Sequence, residues 1–255
     1  MKLREVLGID FGGSGIKGAP VDTKKGKLLE KRYRIPTPVP ATPNDVSEVI
    51  KEIIKHFNWK GPVGVAFPSV VQNGIIKTAA NIDKSWIGVN ASQLLFEKTG
   101  LKTVVLNDAD AAGMAEMKFG AGKGRKGLIL LVTVGTGIGT VLFTRGKLVP
   151  NTELGHVYLS SGMDAELFAS DAARKNEKLD WNAWAKRFDV YLHEMNRLFW
   201  PEMIIIGGGV SKKKEQFLPL LTVETEVTTA STKNTAGIIG AALAAKANKE
   251  MFSLV

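Results

Sequence analysis

The sequence predicts an α/β protein built from two similar halves, each centred on a mostly parallel sheet. Two units read as strand, glycine loop, strand: EVLGID, FGGSG and IKGAPVD near the amino terminus, then LILLVTV, GTGIG and TVLF from residue 128. Both units close alike, in GKLL at 26–29 and GKLV at 146–149. Between them strand-like and helix-like segments alternate, an order that layers helices on parallel strands.

After the first unit, Pro36 to Pro43 holds four prolines and reads as a rigid loop. Asn44 is expected to cap a helix whose apolar residues Val46, Val49, Ile50, Ile53, Ile54 and Phe57 recur at helical spacing, with lysines and glutamates opposite. Gly61 and Pro62 precede a strand, VGVAF. Asn90 with Gln93 forms a capping-box-like start to a second helix, which Gly100 closes. The strand TVVL at 103–106 then delivers Asn107 and Asp108 at its carboxyl end, where α/β sheets place their chemistry.

In the second half, Trp181, Trp184, Ala185, Phe188, Leu192, Met195, Leu198 and Phe199 mark a long amphipathic helix ending before Pro201. MIII at 203–206 is a buried strand running into Gly207, Gly208 and Gly209. The tail AGIIGAALAAKA reads as a closely packed helix of small residues. We expect a small domain over 1–107, a large one over 108–235, and a helix at 236–250 that packs back on the first.

Composition narrows the classes of function. Of 255 residues 44% are hydrophobic and 23% charged, ordinary globular usage that sets aside collagen-like, disordered and coiled-coil chains. There is no cysteine, which removes disulfides, thiolate catalysis and cysteine-bound zinc or iron–sulfur centres. The 34 Lys and Arg against 25 Asp and Glu leave a net charge of +9 and favour an anionic partner. The start, MKLREVLGID, has too short an apolar stretch for a signal peptide, so a cytoplasmic location is expected. Gly127 to Thr144 is uncharged, but GTGIG interrupts it and β-branched residues fill it, so two strands are expected rather than a membrane span.

The dinucleotide pattern G-x-G-x-x-G occurs at Gly13, Gly15, Gly18 and at Gly122, Gly124, Gly127, yet strand-like sequence follows each where a helix is needed. The first loop instead offers Asp10, Gly12, Gly13, Ser14 and Lys17. Glycines let backbone N–H groups close on phosphate oxygens, lysine adds a point charge, and a strand-end aspartate can hold hydrated Mg²⁺. A tight hairpin with incidental charge is the plain alternative. The second loop, with Thr136 and Gly137, has the same two readings. Asp108 either caps a helix, with Asp110 as competitor, or accepts a proton from a substrate hydroxyl that Asn107 positions. Glu153 and His156 stand three residues apart beside Gly155, as metal ligands, as a pair gripping a polyol, or as a plain loop. His56 and His193 read as structural or surface residues.

Taken in order, GIDFGGSGIKG at 8–18, LNDADAAGMAE at 106–116, VTVGTGIGT at 132–140, NTELGHV at 151–157 and IIGGGVSK at 205–212 resemble the repressor, open reading frame, kinase (ROK) family of sugar kinases. The resemblance runs over nearly the whole chain. It implies a two-lobed hexokinase/actin-like, ribonuclease H-like ATPase fold. LVPNTELGH and the AGIIGAALAA tail look most like the branch that phosphorylates glucose with inorganic polyphosphate, often with ATP as well. By this resemblance Asp108 is the general base for the glucose 6-hydroxyl, and Asn107, Glu153, His156 and Glu166 bind sugar. Asp10 with Mg²⁺, Gly12, Gly13, Ser14 and Lys17 handle donor phosphates, Thr136 and Gly137 form a second phosphate loop, and Gly207, Gly208 and Gly209 approach the nucleotide. A homodimer is also implied.

One departure is visible. Many family members carry a cysteine-rich zinc motif before the glutamate matching Glu166 and use the equivalent of His156 as a zinc ligand. Here the stretch is SSGMDAELFAS, so no zinc site is expected and His156 is released to touch sugar. The family's repressors need a DNA-reading domain before the first loop, where this chain has nine residues before Asp10. A strictly ATP-dependent ROK hexose kinase acting on glucose, mannose or a related sugar is the alternative within the family. Basic clusters at Lys24–Arg34, Lys118–Lys126 and Lys212–Lys214 suit a phosphate polymer or are a solvated surface. No recognition helix or aromatic-basic interleaving supports nucleic-acid binding.

Overall fold

The computed structural model describes residues 4–80, 82–232 and 235–252, with side chains described through 248. The chain divides into two compact units, one of residues 1–119 with 234–255, the other of residues 120–233.

The first unit is a sheet flanked by helices. β1 (Glu5–Gly12) turns tightly into β2 (Gly15–Asp22), followed by β3 (Lys27–Leu28) and β4 (Tyr33–Ile35). Helix α1 (Pro43–His56) follows, then β5 (Val63–Phe67), the small hairpin β6 (Val71–Gln72) and β7 (Ile75–Ile76), and α2 (Ala91–Thr99). β8 (Thr103–Asn107) runs directly into α3 (Asp108–Phe119). The strand order is β3-β2-β1-β5-β8, with β4 pairing on β2; β1, β5 and β8 are parallel and β2 is antiparallel.

The second unit repeats that plan. β9 (Leu128–Val134), β10 (Ile138–Thr144) and β11 (Lys147–Val149) form an antiparallel meander. Three helices follow, α4 (Ala165–Ala169), α5 (Asp171–Asn176) and α6 (Trp181–Phe199), and then β12 (Met203–Gly208) and β13 (Glu226–Thr229) extend the sheet in parallel with β9. The order β11-β10-β9-β12-β13 matches the first sheet strand for strand. GKLL and GKLV, the similar closing segments, supply β3 and β11. The uncharged run 127–144 is the β9–β10 hairpin, and among the described residues no helix is long and apolar enough to cross a membrane.

Local chemistry explains the elements, with three corrections. Thr42, not Asn44, caps α1: its Oγ1 accepts the Asp45 N–H at 3.2 Å, and Pro43 takes the first helical position, where its missing N–H costs nothing. On α6, Leu198 is 43% exposed, whereas Tyr191, which the apolar spacing omits, is fully buried beside Phe188. The division expected after residue 107 also differs from the observed units, in which α3 groups with the first. The reason lies in α7 (Ala236–Phe252), whose contacts run along α3, β1 and β5. Its approach is close enough to exclude side chains: a Cβ on Gly240 would lie 1.7 Å from the Ala111 carbonyl oxygen, and Cβ atoms on Gly8 and Gly64 would each lie 1.9 Å from a carbonyl oxygen of α7.

Each unit has its own apolar core. Leu7, Ile9, Phe11, Ile50, Ile53, Val65, Phe67 and Trp86 pack in the first. Leu130, Val132, Trp184, Phe188, Leu192, Ile204 and Phe217 pack in the second. The Tyr191 hydroxyl is buried there with no hydrogen-bond partner, and burial pushes its pKa far up.

Two stability outcomes follow from this packing. Gly240→Ala should cost about 3 kcal/mol or more in chemical denaturation, because a methyl meeting backbone cannot be relieved by a rotamer change. Tyr191→Phe should leave stability unchanged or raise it by up to about 1 kcal/mol, since it removes an unsatisfied buried hydroxyl at constant shape.

Candidate active site

In the first unit the chemistry gathers at the carboxyl ends of β1, β5 and β8. Asp10 faces Lys17 across the hairpin, with carboxylate and ammonium 3.7 Å apart. Burial raises the Asp10 pKa, against the lowering effect of the positive charges of Lys17 and Arg32. A Cβ on Gly237, in the first turn of α7, would lie 3.0 Å from the Asp10 carboxyl carbon, so that glycine leaves the carboxylate its space. Gly12, Gly13 and Ser14 form the turn; Gly13 and Ser14 are exposed, and a Cβ on Gly13 would meet nothing within 4 Å. Thr37 ties the turn down by donating from Oγ1 to the Gly12 carbonyl at 2.6 Å. Both G-x-G-x-x-G matches lead into strands, β2 and β9, so neither meets a helix N-terminus as dinucleotide binding requires.

At the end of β8 the cap is Asn107. Its Oδ1 accepts the N–H groups of Ala109 at 2.8 Å and Asp110 at 3.1 Å, and its Nδ2 donates to the Ser69 carbonyl at 3.1 Å. Neither Asp108 nor Asp110 is therefore needed as the principal cap. Asp108 stands exposed in the first turn of α3, its Oδ1 also accepting from Ala109 N–H, while Asp110 is buried. One carboxylate is thus presented at a strand end, on a side chain aimed by the capped helix behind it. Asn107 holds the loop after β5 to the end of β8, and its second amide hydrogen is what it can offer a ligand.

In the second unit, the β9–β10 turn, the 153–156 turn and α4 pack as one group. Thr140 Oγ1 donates to the Thr152 carbonyl at 2.7 Å and accepts the Leu154 N–H at 2.9 Å, clamping Glu153 and His156 to β10. Gly155 is required because its Cβ would lie 2.0 Å from the Ile138 carbonyl oxygen. Glu166 Oε2 accepts the Ile138 N–H at 2.8 Å, and a Cβ on Gly137 would fall 2.3 Å from that oxygen. Gly137 is therefore glycine to admit the Glu166 carboxylate. Thr136 remains exposed and Gly135 open on the other side of the turn. Gly207 and Gly208 end β12 beside β9, where Gly208 has φ +77° and backs onto Val134; Gly209 is open.

Asp164, to which the sequence assigned no part, joins this group in the structure. Its Oδ1 caps α4 by accepting the Glu166 and Leu167 N–H groups, and its Oδ2 meets His156 Nδ1 at 3.1 Å. An aspartate just before AELFA is a readable helix start, so a signal existed. Burial works to lower the His156 pKa, but the Asp164 hydrogen bond and the charges of Glu166, Asp164 and Glu153 outweigh it and raise it. Burial raises the Glu153 pKa, opposed by His156 and reinforced by Glu166. Elsewhere, His56 stacks on Tyr33 and His193 pairs with Thr222, as structural histidines do. Among the described residues no group of three or more His, Cys, Asp or Glu side chains is gathered to hold a metal.

Two sheets of one strand order, each opening with a glycine-turn hairpin and carrying carboxylates near its strand ends, define the hexokinase and actin-like fold class. The ROK family model matches residues 6–177, and the chain belongs to that family. It is 47% identical over 248 residues to the polyphosphate glucokinase of Mycobacterium tuberculosis (strain CDC 1551 / Oshkosh), covering 96% of this chain and 92% of that protein. The crystal structure of the inorganic polyphosphate/ATP-glucomannokinase from Arthrobacter sp. strain KM superposes with a TM-score of 0.89 at 45% identity, covering 96% of this chain and 99% of that one. A ROK family glucokinase from Streptomyces griseus, solved with glucose and AMPPNP, shares the fold with a TM-score of 0.79 at 24% identity, over 95% and 99% of the two chains.

The His156–Asp164 pair generates a titration test. The protonated imidazole contributes stability that is fully present below the ordinary histidine value of about 6.5 and is lost as pH rises through the raised folded value. Asp164→Asn keeps a competent cap but removes the charge, so NMR titration of the His156 ring should show its pKa fall while α4 stays folded. An unchanged titration would show that Asp164 does not set it.

Proposed function

We propose that this protein is a polyphosphate-dependent glucokinase that transfers a phosphoryl group from inorganic polyphosphate, and also from ATP, to the 6-hydroxyl of glucose. The observation that carries this reading is the exposed Asp108 carboxylate at the end of β8, in a chain 47% identical to a polyphosphate glucokinase over nearly its whole length. In this reading Asp108 accepts the proton of the 6-hydroxyl as that oxygen bonds to the terminal phosphorus of the donor. The bond to the bridging oxygen breaks, and the shortened polyphosphate or ADP leaves. Phosphoryl transfer asks a protein chiefly for alignment and charge neutralisation, and a positioned carboxylate with glycine turns and a lysine supplies both.

The remaining roles are those the family resemblance implies, and the chemistry of each side chain supports them. Asn107 donates from its second amide hydrogen to a sugar hydroxyl. In the second unit Glu153 and His156, clamped to β10, and Glu166, with one oxygen held by Ile138 N–H, bind ring hydroxyls. Gly12, Gly13, Ser14 and Lys17 take donor phosphates in the first unit. Thr136 serves as the phosphate-facing part of the second loop, with Gly137 shaped by Glu166, and Gly207, Gly208 and Gly209 approach the nucleotide when ATP is the donor.

Asp10 would hold Mg²⁺. A single hard carboxylate oxygen beside a phosphate turn fits an ion that keeps water and phosphate oxygens as its other ligands, and Gly237 leaves the space beside it. When bound, Mg²⁺ would neutralise charge on the donor phosphates. Family resemblance also supports a cytoplasmic homodimer, which a molar-mass measurement in solution checks.

A donor screen with glucose as acceptor tests the proposal: glucose 6-phosphate should form from long-chain polyphosphate and from ATP. Formation from ATP alone would leave the strictly ATP-dependent hexose kinase in its place. Asp108→Asn should lower kcat by roughly 10² to 10⁴, the range for a positioned general base, with glucose binding much less affected. Turnover near that of the wild type would remove Asp108 from the mechanism.

A further inference from the structure

The register across three strands puts Asp10 opposite Lys17 and Lys17 opposite Arg34, so all three side chains leave one face of the sheet. Gly12 and Gly15 pair two positions further along that face. Two cations use the space those glycines leave. A Cβ on Gly12 would lie 3.7 Å from Lys17 Nζ, and one on Gly15 would lie 2.5 Å from Arg34 Nε and 2.7 Å from its Cζ. The Arg34 guanidinium therefore rests against the Gly15 backbone, and its Nη2 donates to the Ser14 carbonyl. That carbonyl fixes the fork without neutralising it, and among the described residues Arg34 makes no ion pair with a carboxylate.

Arg34 is thus a fixed positive fork at the lip of an exposed glycine turn. Arg32, two residues earlier in the extended chain, adds charge near enough to bear on Asp10. β4 pairs only with β2 among the described strands, so no described strand pairs with it beyond Arg34. A planar guanidinium suits two oxygens of one phosphate, and an anion that carries charge on every unit gains from each further fixed cation along its path. We propose that Arg34, seated on Gly15 and Ser14 beside Lys17, is a subsite for a non-transferred phosphate of an inorganic polyphosphate chain. This rests on the reading of polyphosphate as donor, and it gives Gly15 its purpose as the floor of the subsite.

Steady-state kinetics with saturating glucose test it, with tripolyphosphate, long-chain polyphosphate and ATP as donors to the wild type, Arg34→Ala and Gly15→Ala. Arg34→Ala should raise KM for long-chain polyphosphate by roughly ten- to a hundredfold, the worth of a charge-assisted hydrogen bond, with kcat changed much less. The rise should exceed that for ATP at least tenfold, and the dependence of KM on salt should weaken. Gly15→Ala keeps the charge but displaces the fork, and should raise the same KM. Arg34→Gln, which retains a planar donor for Ser14, replaces Arg34→Ala if thermal melting shows that variant unfolded. Equal effects on both donors, or an unchanged polyphosphate KM, would overturn the subsite. A wild type inactive with polyphosphate of every length would instead overturn the donor reading itself.

Discussion

Backbone meeting backbone at Gly8, Gly64 and Gly240 is the contact on which the first unit depends. Those glycines let α7 lie directly on β1, β5 and α3, which a single methyl at any of them would prevent. β1 carries Asp10 and leads into the hairpin turn, Asn107 ends β8 and Asp108 opens α3, so the helix that packs on β1 and α3 also fixes elements that present this chemistry. Gly237, in the first turn of that helix, extends the logic to the Asp10 carboxylate. Close packing of this kind transmits displacement rather than absorbing it, which makes small residues far from any ligand as constrained as those beside one.

The second unit uses the same strand order for a different purpose. Its hairpin turn is shaped from within by Glu166, whose carboxylate takes the Ile138 N–H and occupies the space above Gly137. The first turn keeps its glycines for cations, Lys17 and Arg34, and the second keeps one for an anion. The two glycine turns, alike as strings, therefore have opposite electrostatic character at the positions where side chains approach them. Asp164 completes the contrast by holding His156 and capping the helix that carries Glu166, so that one carboxylate makes the junction between them.

Much of the architecture was legible because it rests on local rules. The alternation of strands and helices, the Asn90 and Gly100 caps, the hairpin in the uncharged run and the kinship of the two halves all follow from periodicity and turn chemistry within a few residues. Two of the misses concern helix caps. Thr42 competed with Asn44 for a cap, and Pro43 between them decides in favour of Thr42. Asn107 took the cap that Asp108 and Asp110 were weighed for, because its amide could serve the helix with one atom and Ser69 with another.

The sequence by itself determined the α/β class, the two glycine turns, the positions of Asp10, Asp108, Glu153 and His156 along the chain, and the family. Only the tertiary structure decided which groups those side chains answer to: Asp164 on His156, Ile138 N–H on Glu166, Arg34 over Gly15, and α3 grouped with the first unit through α7. The physical reason is distance along the chain. Spacing and composition report on neighbours within a turn or two, whereas a carboxylate's partner, or the atom that forbids a Cβ, arrives from a segment tens of residues away, and only folding places it.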